Sequence, residues 1–129
     1  MAGYHTDIKK KTEENEYFRE VLFTGPHSQL VVMALKPGED IGMETHPDTD
    51  QFFRVEEGKG KAVLDGQEYE LEDGSAIVIP AGTEHNVINT SSTKSLKMYT
   101  IYTPPEHPDG TIHKTKAEAV AYDHERHHS

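Results

Sequence analysis

Residues 37–58 read PGEDIGMETHPDTDQFFRVEEG, and the rest of the chain is best interpreted outward from them. After a Pro-Gly turn, Glu44 and His46 stand two residues apart, and Gln51 follows before a strand-like segment that ends at Gly58. Successive side chains of a strand alternate between its two faces. Glu44 and His46 therefore share one face if this segment is extended, and Gln51 can return to the same interior after the intervening turn.

A second stretch, residues 74–89, reads GSAIVIPAGTEHNVIN and supplies His85. His85 follows a turn at Pro80 and Gly82, so its ring is expected to enter the same interior from another side. Donor groups that stand on separate strands of a scaffold form a rigid site. The two stretches together predict one metal-binding or ligand-binding pocket.

The composition limits the class of protein. The chain has 129 residues and a formal net charge of −10, which suits one domain and makes nucleic acid and anionic membranes poor partners. It has no cysteine, which excludes disulfides and thiolate metal sites. Because no apolar run is long enough to span a membrane and the first residues lack the apolar core of a signal peptide, we expect a cytoplasmic protein.

Short apolar or alternating runs between turn signals are typical of strands. Asp65-Gly66 between two alternating runs predicts a tight hairpin. Met43 and Phe53 are predicted to face an outer sheet or an interface, and the strand over 76–79 is predicted to be buried. The predicted strands cover residues 21–23, 30–35, 41–46, 52–55, 61–64, 67–71, 76–79, 85–87 and 96–102. Since no helix interrupts them, the pattern predicts an all-β barrel or jelly roll.

The chain divides into three parts on this pattern. Residues 1–29 are predicted to form an N-terminal arm with a peripheral strand, and this arm has room for a short helix over 12–19. Residues 30–103 are predicted to form the barrel. Residues 104–129 are predicted to form a stiff loop, a short helix and a tail.

The C-terminal helix is predicted from its first turn. Thr115 and Glu118 have the spacing of a capping box, in which each side chain bonds the backbone N–H of the other. The helix is expected to cover Lys116 to Tyr122, and residues 124–129 are expected to form a frayed tail. Its histidines are given little functional weight.

The opening stretch resembles the first motif of the cupin superfamily. In that motif a glycine, two histidines, a glutamate and a second glycine stand at the spacings of Gly38, Glu44, His46, Gln51 and Gly58. Glu44 therefore stands where the first histidine is expected, and Gln51 stands where the glutamate is expected. The resemblance is good in spacing and departs from the family at two of these three ligand positions.

The second stretch matches the second cupin motif at each of its positions, which fall on Gly74, Pro80, Gly82, His85 and Asn89. The resemblance covers roughly residues 30–103. It implies a small single-domain cupin with a six-stranded double-stranded β-helix, often dimeric, that usually holds one divalent metal ion.

The metal ligands that the resemblance implies are Glu44, His46, Gln51 and His85. Two histidines and one carboxylate also make up the facial triad of non-haem Fe(II) oxygenases. A neutral amide binds a divalent ion more weakly than imidazole does, so we expect a weaker or more labile site that suits Fe, Mn, Zn or Ni. The neighbouring aspartates of the turn are expected to be solvated or to cap it.

The reaction stays open at this level. Tyr102 and His107 lie on the segment that leaves the last strand, where they are weak candidates for an acid, a base or a gate. The favoured interpretation is a metal-dependent enzyme, either a dioxygenase or an isomerase, that acts on a small oxygen-containing molecule. A phosphate substrate is disfavoured, since Arg54 and Lys36 are the nearest cations. The alternative is a non-catalytic cupin that binds or senses a small molecule, with the metal structural or absent. With either function we expect a homodimer.

Overall fold

The structure is a computed structural model that describes residues 2–128, with side chains described through residue 124. It contains two helices and nine strands within this range. In chain order they are α1 (Ile8–Glu14), β1 (Arg19–Thr24), β2 (Gln29–Leu35), β3 (Asp50–Glu57), β4 (Gly60–Leu64), β5 (Gln67–Leu71), β6 (Ala76–Ile79), β7 (His85–Asn89), β8 (Leu96–Thr103), β9 (Ile112–His113) and α2 (Lys116–His128).

The strands form two antiparallel sheets that face each other across the core. The larger sheet has the order β6-β3-β8-β2-β1-β9, and the smaller has the order β5-β4-β7. Residues 39–46 extend the smaller sheet along β7, because Ile41 N–H donates to the carbonyl of Val87 at 3.0 Å and Asn89 N–H donates to that of Glu39 at 2.9 Å. This arrangement confirms the predicted all-β jelly-roll barrel with a C-terminal helix.

The interior is built as rows of side chains from β2, β8, β3 and β6 that face each other across the paired strands. From one end of the barrel to the other, the rows contain Gln29, Tyr102, Gln51 and Ile79; then Val31, Thr100, Phe53 and Ile77; then Met33, Met98 and Val55; then Leu35 and Leu96. The alternation that predicted β8 is confirmed, since Leu96, Met98, Thr100 and Tyr102 are all buried. The polar side chains gather at one end, which places the site there.

Strand β2 is apolar on both faces because both faces are covered. Val31 and Met33 point into the core, while Val32 and Ala34, at 1% and 6% exposure, lie on the outer face. Helix α1 packs against this side of the larger sheet. Burial on both faces is the reason that the run from Leu30 to Leu35 is continuous rather than alternating.

The predicted helix over residues 12–19 is wrong in its position. Helix α1 begins earlier, because Asp7 caps it and accepts a hydrogen bond from Lys10 N–H at 3.1 Å. It ends at Asn15, whose backbone is extended. The end of the predicted segment instead starts β1 at Arg19.

Two predictions about exposure are also wrong. Strand β6 is an edge strand with one face in solvent, and Val78 is 65% exposed. Phe53 lies in the core at 3% exposure, because it is two residues from Gln51 and shares its inward face.

Met43 is 55% exposed, in agreement with its predicted outward position. The Asp65-Gly66 hairpin is confirmed, with φ of 47° and 84° at its two turn residues.

The C-terminal part agrees with prediction at its start and differs at its end. The capping box is present: Glu118 N–H donates to Thr115 Oγ1 at 3.2 Å, and Thr115 N–H donates to Glu118 Oε2 at 3.0 Å. The helix continues to His128, beyond the predicted end at Tyr122, so the predicted frayed tail is wrong up to this point. Ser129 lies outside the described residues. Strand β9, which pairs with β1, was not predicted because two residues carry no periodic signal.

Within the described range, neither helix has the length and apolar character that a membrane-spanning helix needs.

Replacing Gly58, the last glycine of the first motif, by alanine should destabilise the fold by roughly 2–5 kcal/mol. Its φ is +110°, and an added Cβ would lie 2.6 Å from the carbonyl oxygen of Ser95. Gly38 is the matched control: its φ is +75°, but an added Cβ would meet nothing within 4 Å. Gly38→Ala should cost only about 1–2 kcal/mol for the unfavourable φ. Urea unfolding measures both values, and equal losses would contradict the steric account.

Helix α2 is tied to the segment along β7 through Asp40. Lys116 forms an ion pair with Asp40 Oδ1, and Asn86 Nδ2 donates to Asp40 Oδ2 at 2.9 Å. The hydrogen bond from Asn86 and the one from Lys116 hold the pKa of Asp40 below its ordinary value. Since the folded pKa is the lower one, this contribution to stability is present above the unfolded pKa and is lost as the pH falls through the folded pKa.

Asp40→Asn should therefore cost about 0.5–1 kcal/mol of unfolding free energy at pH 7. The difference from wild type should shrink as the pH falls through the acid range. Denaturant unfolding from pH 7 down to the lowest pH with a native baseline measures this difference. Asp109→Asn, which changes an exposed loop aspartate, is the control. A difference that stays constant with pH would contradict the role of the ion pair.

Candidate metal centre

The site begins with the pairing of Glu44 and His85. These residues face each other in an antiparallel bridge, and each backbone N–H donates to the other's carbonyl at 2.9 Å. Directly paired residues place their side chains on the same face. Glu44 Oε1 consequently lies 3.9 Å from His85 Nε2.

His46 completes the group from the same side. It is two residues after Glu44, and its Nε2 lies 3.7 Å from Glu44 Oε1. One donor atom from each of Glu44, His46 and His85 lies within 4.8 Å of the other two. Two donors bonded to one ion at about 2.0–2.2 Å are separated by up to roughly 4 Å. The distances of 3.7 and 3.9 Å from Glu44 Oε1 to the two Nε2 atoms thus fit a divalent ion held by these side chains.

Both imidazole rings are oriented by a hydrogen bond at Nδ1. His85 Nδ1–H donates to the carbonyl of Thr83 at 2.9 Å, and His46 Nδ1–H donates to Glu106 Oε1 at 3.2 Å. With Nδ1 protonated, the lone pair of each neutral ring is on Nε2. Both Nε2 atoms are buried and have no hydrogen-bond partner among the described residues. A buried polar atom without a partner is costly, and a bound cation would satisfy both.

Glu106 is a functional residue that the sequence interpretation missed. It lies on the loop after β8, and its second oxygen, Oε2, accepts a hydrogen bond from Thr49 Oγ1 at 3.1 Å. A carboxylate that holds the Nδ1–H of a ligating histidine is a common partner in metal sites. The available signal was a carboxylate beside His107, which the sequence did single out.

Charge in the site favours a cation. Burial lowers the pKa of His46, but the hydrogen bond to Glu106 and the nearby carboxylate of Glu44 outweigh it and raise the pKa to about 9. The same hydrogen bond to His46 lowers the pKa of Glu106. Two carboxylates therefore stabilise positive charge at this point, whether a proton or a metal ion carries it.

Gln51 lies on the larger sheet beside Tyr102, whose ring contacts His46. It is 2% exposed and pairs directly with Tyr102 across the strands. Its Nε2 donates to Thr100 Oγ1 at 3.1 Å, which leaves Oε1 buried without a hydrogen-bond partner in the described part of the chain. The amide oxygen therefore has a lone pair free to bind a metal ion. The three-residue group itself consists of Glu44, His46 and His85.

Tyr102 and His107 lie beside the group. The Tyr102 hydroxyl is 3.3 Å from His107 Nε2, and the Tyr102 ring meets His46 edge-on at 5.9 Å between centroids. Burial, followed by the charge of Arg19, lowers the pKa of His107 to about 3. Burial likewise raises the pKa of Tyr102. At neutral pH the pair consists of a neutral imidazole and a protonated phenol.

The cations named from the sequence lie away from the group. Lys36 is exposed, and Arg54, whose side chain is 46% exposed, pairs with Glu56 at 2.9 Å. Among the residues whose burial is described, the buried arginine is Arg19, which the sequence interpretation missed; its Nη1 donates to His113 Nδ1 at 3.2 Å. A basic residue at the start of a strand gave no signal that it faces inward.

Comparisons with known proteins agree with the fold described above. The family model described as "Cupin domain" matches residues 31–102. The crystal structure of BH2720 from Bacillus halodurans has 47% sequence identity and a TM-score of 0.91, and the match covers 93% of this chain and 95% of that chain.

Curated relatives extend the comparison. The uncharacterized protein YrkC of Bacillus subtilis is 51% identical over 121 residues, which is 89% of this chain but 64% of YrkC. Quercetin 2,3-dioxygenase of Bacillus subtilis is 31% identical over 104 residues, which is 81% of this chain but 29% of the dioxygenase. The chain therefore spans less than two thirds of the length of both proteins. Because the cupin model covers more than half of the chain, this protein belongs to the cupin family.

Proposed function

We propose that this cupin binds one divalent metal ion through Glu44, His46 and His85, with the amide oxygen of Gln51 as a fourth donor. The observation that carries the proposal is the convergence on one carboxylate of two buried Nε2 atoms that have no hydrogen-bond partner among the described residues. The donor set suits Fe, Mn, Zn or Ni.

In such a site, different residues of the chain orient the metal ligands and supply a proton. A bound metal supplies a Lewis acid that polarises a substrate oxygen. Glu106 and the Thr83 carbonyl hold the two imidazoles in the tautomer that presents Nε2. The Tyr102 hydroxyl holds a proton close to His46, where it can be donated to a substrate oxygen.

The substrate class we propose is a small oxygen-containing molecule, and the reaction class we favour is dioxygenation. Two histidines and one carboxylate match the facial triad of non-haem iron oxygenases. The similarity to quercetin 2,3-dioxygenase supports the same class. Isomerisation of a sugar phosphate is less well supported, since Arg54 and Lys36 lie at the surface.

The second candidate is a cupin that binds or senses a small molecule without turnover. The observation that favours it is Gln51, a neutral amide that stands where the first motif has its glutamate. Because Glu44 supplies the one carboxylate, the set has one imidazole fewer than the family's usual ligands and one amide more. An amide oxygen holds a divalent ion more weakly than imidazole does, and weak binding suits a reversible sensor better than a resident catalytic metal.

His85→Ala should lower the metal affinity by more than about 100-fold. Loss of a residue that only hydrogen-bonds to a metal ligand already costs roughly 10–100-fold, and His85 is itself a proposed ligand. Glu44→Ala should have a similar effect. The measurements are the metal content after dialysis without chelator and the rise in Tm on addition of Fe(II), Mn(II), Zn(II) or Ni(II). The background should carry alanine in place of the tail histidines His124, His127 and His128.

His113→Ala is the matched control for that experiment, since His113 is buried but lies outside the three-residue group. It should retain the metal affinity of the parent. Metal content unchanged in both the His85 and Glu44 variants would rule out the assigned ligands.

The iron-loaded protein should consume dioxygen with at least one member of a panel of β-diketones, catechols and flavonols. His85→Ala should abolish this consumption, and isomerisation of sugar phosphates should stay at background. An oxygen electrode and product analysis measure the outcome. Thermal stabilisation by a panel member without any turnover would favour the binding function over the enzyme.

A further inference from the structure

Gln29 carries a buried amide side chain and lies outside the three-residue group of Glu44, His46 and His85. It is the first residue of β2 and is 1% exposed. Its side chain lies in the same interior row as Tyr102 and Gln51. An amide has two donors and one acceptor oxygen, and at Gln29 both ends of the side chain are used.

Three of the four hydrogen bonds go to the backbone of the loop after β8. The Gln29 oxygen accepts from the N–H groups of Glu106 at 3.2 Å and His107 at 3.0 Å. Its Nε2 donates to the carbonyl of His107 at 2.7 Å and to Thr24 Oγ1 at 2.9 Å. The side chain thus bonds this irregular loop as a neighbouring strand would.

The loop that Gln29 holds carries two side chains into the site. Glu106 accepts the Nδ1–H of His46, and His107 contacts the hydroxyl of Tyr102. A glutamate on a free loop would lose conformational entropy each time it made the bond to His46. With its backbone held by Gln29 and its Oε2 held by Thr49, Glu106 is already placed.

We propose that Gln29 is a positioning residue for the metal centre. It acts through the loop backbone and Glu106 to hold the His46 ring with Nε2 directed at Glu44 and His85. This inference rests on the proposed metal-binding function. It assigns to a residue at the start of β2 a role in metal affinity beyond its role in packing.

Gln29→Met tests the proposal, since methionine is unbranched like glutamine but makes none of the four hydrogen bonds. The affinity of the variant for Fe(II) or Zn(II) should fall by about 10-fold or more, which is the range for loss of a residue that supports a metal ligand through hydrogen bonds. Hydrogen exchange at the amides of Glu106 and His107 should become faster at the same time. Isothermal titration and exchange mass spectrometry measure the two effects.

Asn89→Leu separates positioning from mere loss of stability. Asn89 is also 1% exposed, and its Nδ2 donates to the carbonyls of Leu35, Lys36 and Lys94. It clamps a loop at the other end of the barrel, so its replacement should lower Tm without lowering metal affinity. Equal losses of affinity in the Gln29 and Asn89 variants would reduce Gln29 to a structural residue and overturn the proposal.

A double-mutant cycle with Glu106→Gln tests the route of the effect. If Gln29 acts through Glu106, the double variant should lose little more affinity than Glu106→Gln alone. Fully additive losses would overturn that route. If Gln29→Met fails to fold, Gln29→Glu keeps an acceptor for the two loop N–H groups and should show a smaller loss of affinity. Wild-type affinity there despite faster exchange at Glu106 and His107 would also overturn the proposal.

The two proposals fail in different ways. If the wild-type chain binds no metal, the proposed function fails, while exchange at Glu106 and His107 still reports whether Gln29 holds the loop. If the wild type binds metal and Gln29→Met binds it equally well, the metal centre stands and the role of Gln29 is wrong.

Discussion

The antiparallel pairing of Glu44 with His85 is the contact on which the site depends. Two backbone hydrogen bonds of 2.9 Å join Glu44, in the segment that extends the smaller sheet, to His85, the first residue of β7. The pairing sets the register, and a shift of one residue would turn both side chains away from the interior. It also carries His46 inward, since that residue shares the face of Glu44. The scaffold therefore determines the donor geometry through its backbone, before any ion is bound.

The imidazoles show how the fold prepares a site at a cost to itself. The Nε2 atoms of His46 and His85 are buried and have no hydrogen-bond partner in the described part of the chain, and burial of an unpaired polar atom is unfavourable. The bonds at Nδ1, to Glu106 and to the Thr83 carbonyl, prevent the rings from turning to satisfy Nε2 elsewhere. Such unpaired groups are rare in proteins and often mark function. The surrounding rows of Val, Met and Leu supply the apolar burial that tolerates this cost.

Apolar side chains fill one end of the barrel, and polar side chains gather at the other end, beside the candidate metal centre. Toward the far end, the paired rows hold Met33, Met98, Leu35 and Leu96, which are fully buried. Toward the site, the same strands place Gln29, Gln51 and Tyr102 inward at equivalent positions. The loop after β8 then adds Glu106 and His107, held by Gln29. Polar groups from two sheets and one loop thus meet where the apolar packing ends.

Local sequence determined the elements whose signals are local. Alternation over β8, the Asp65-Gly66 turn and the capping box at Thr115 each depend on residues within a few positions of one another. The predicted strands, the hairpin and the start of α2 followed from them. The grouping of Glu44, His46 and His85 was expected from the spacing of two separate motifs, and the bridge between Glu44 and His85 brings it about. The inward face of Phe53 follows locally from its two-residue spacing from Gln51. Only the tertiary structure decided that β6 lies at an edge, that Arg19 faces inward, that Glu106 contacts His46 and that Gln29 contacts the loop after β8. These features depend on contacts between segments far apart in the chain, such as His46 with Glu106 or Gln29 with His107. A single sequence has no local period or turn rule that records such contacts, because burial and hydrogen-bond partners are set by which strands become neighbours.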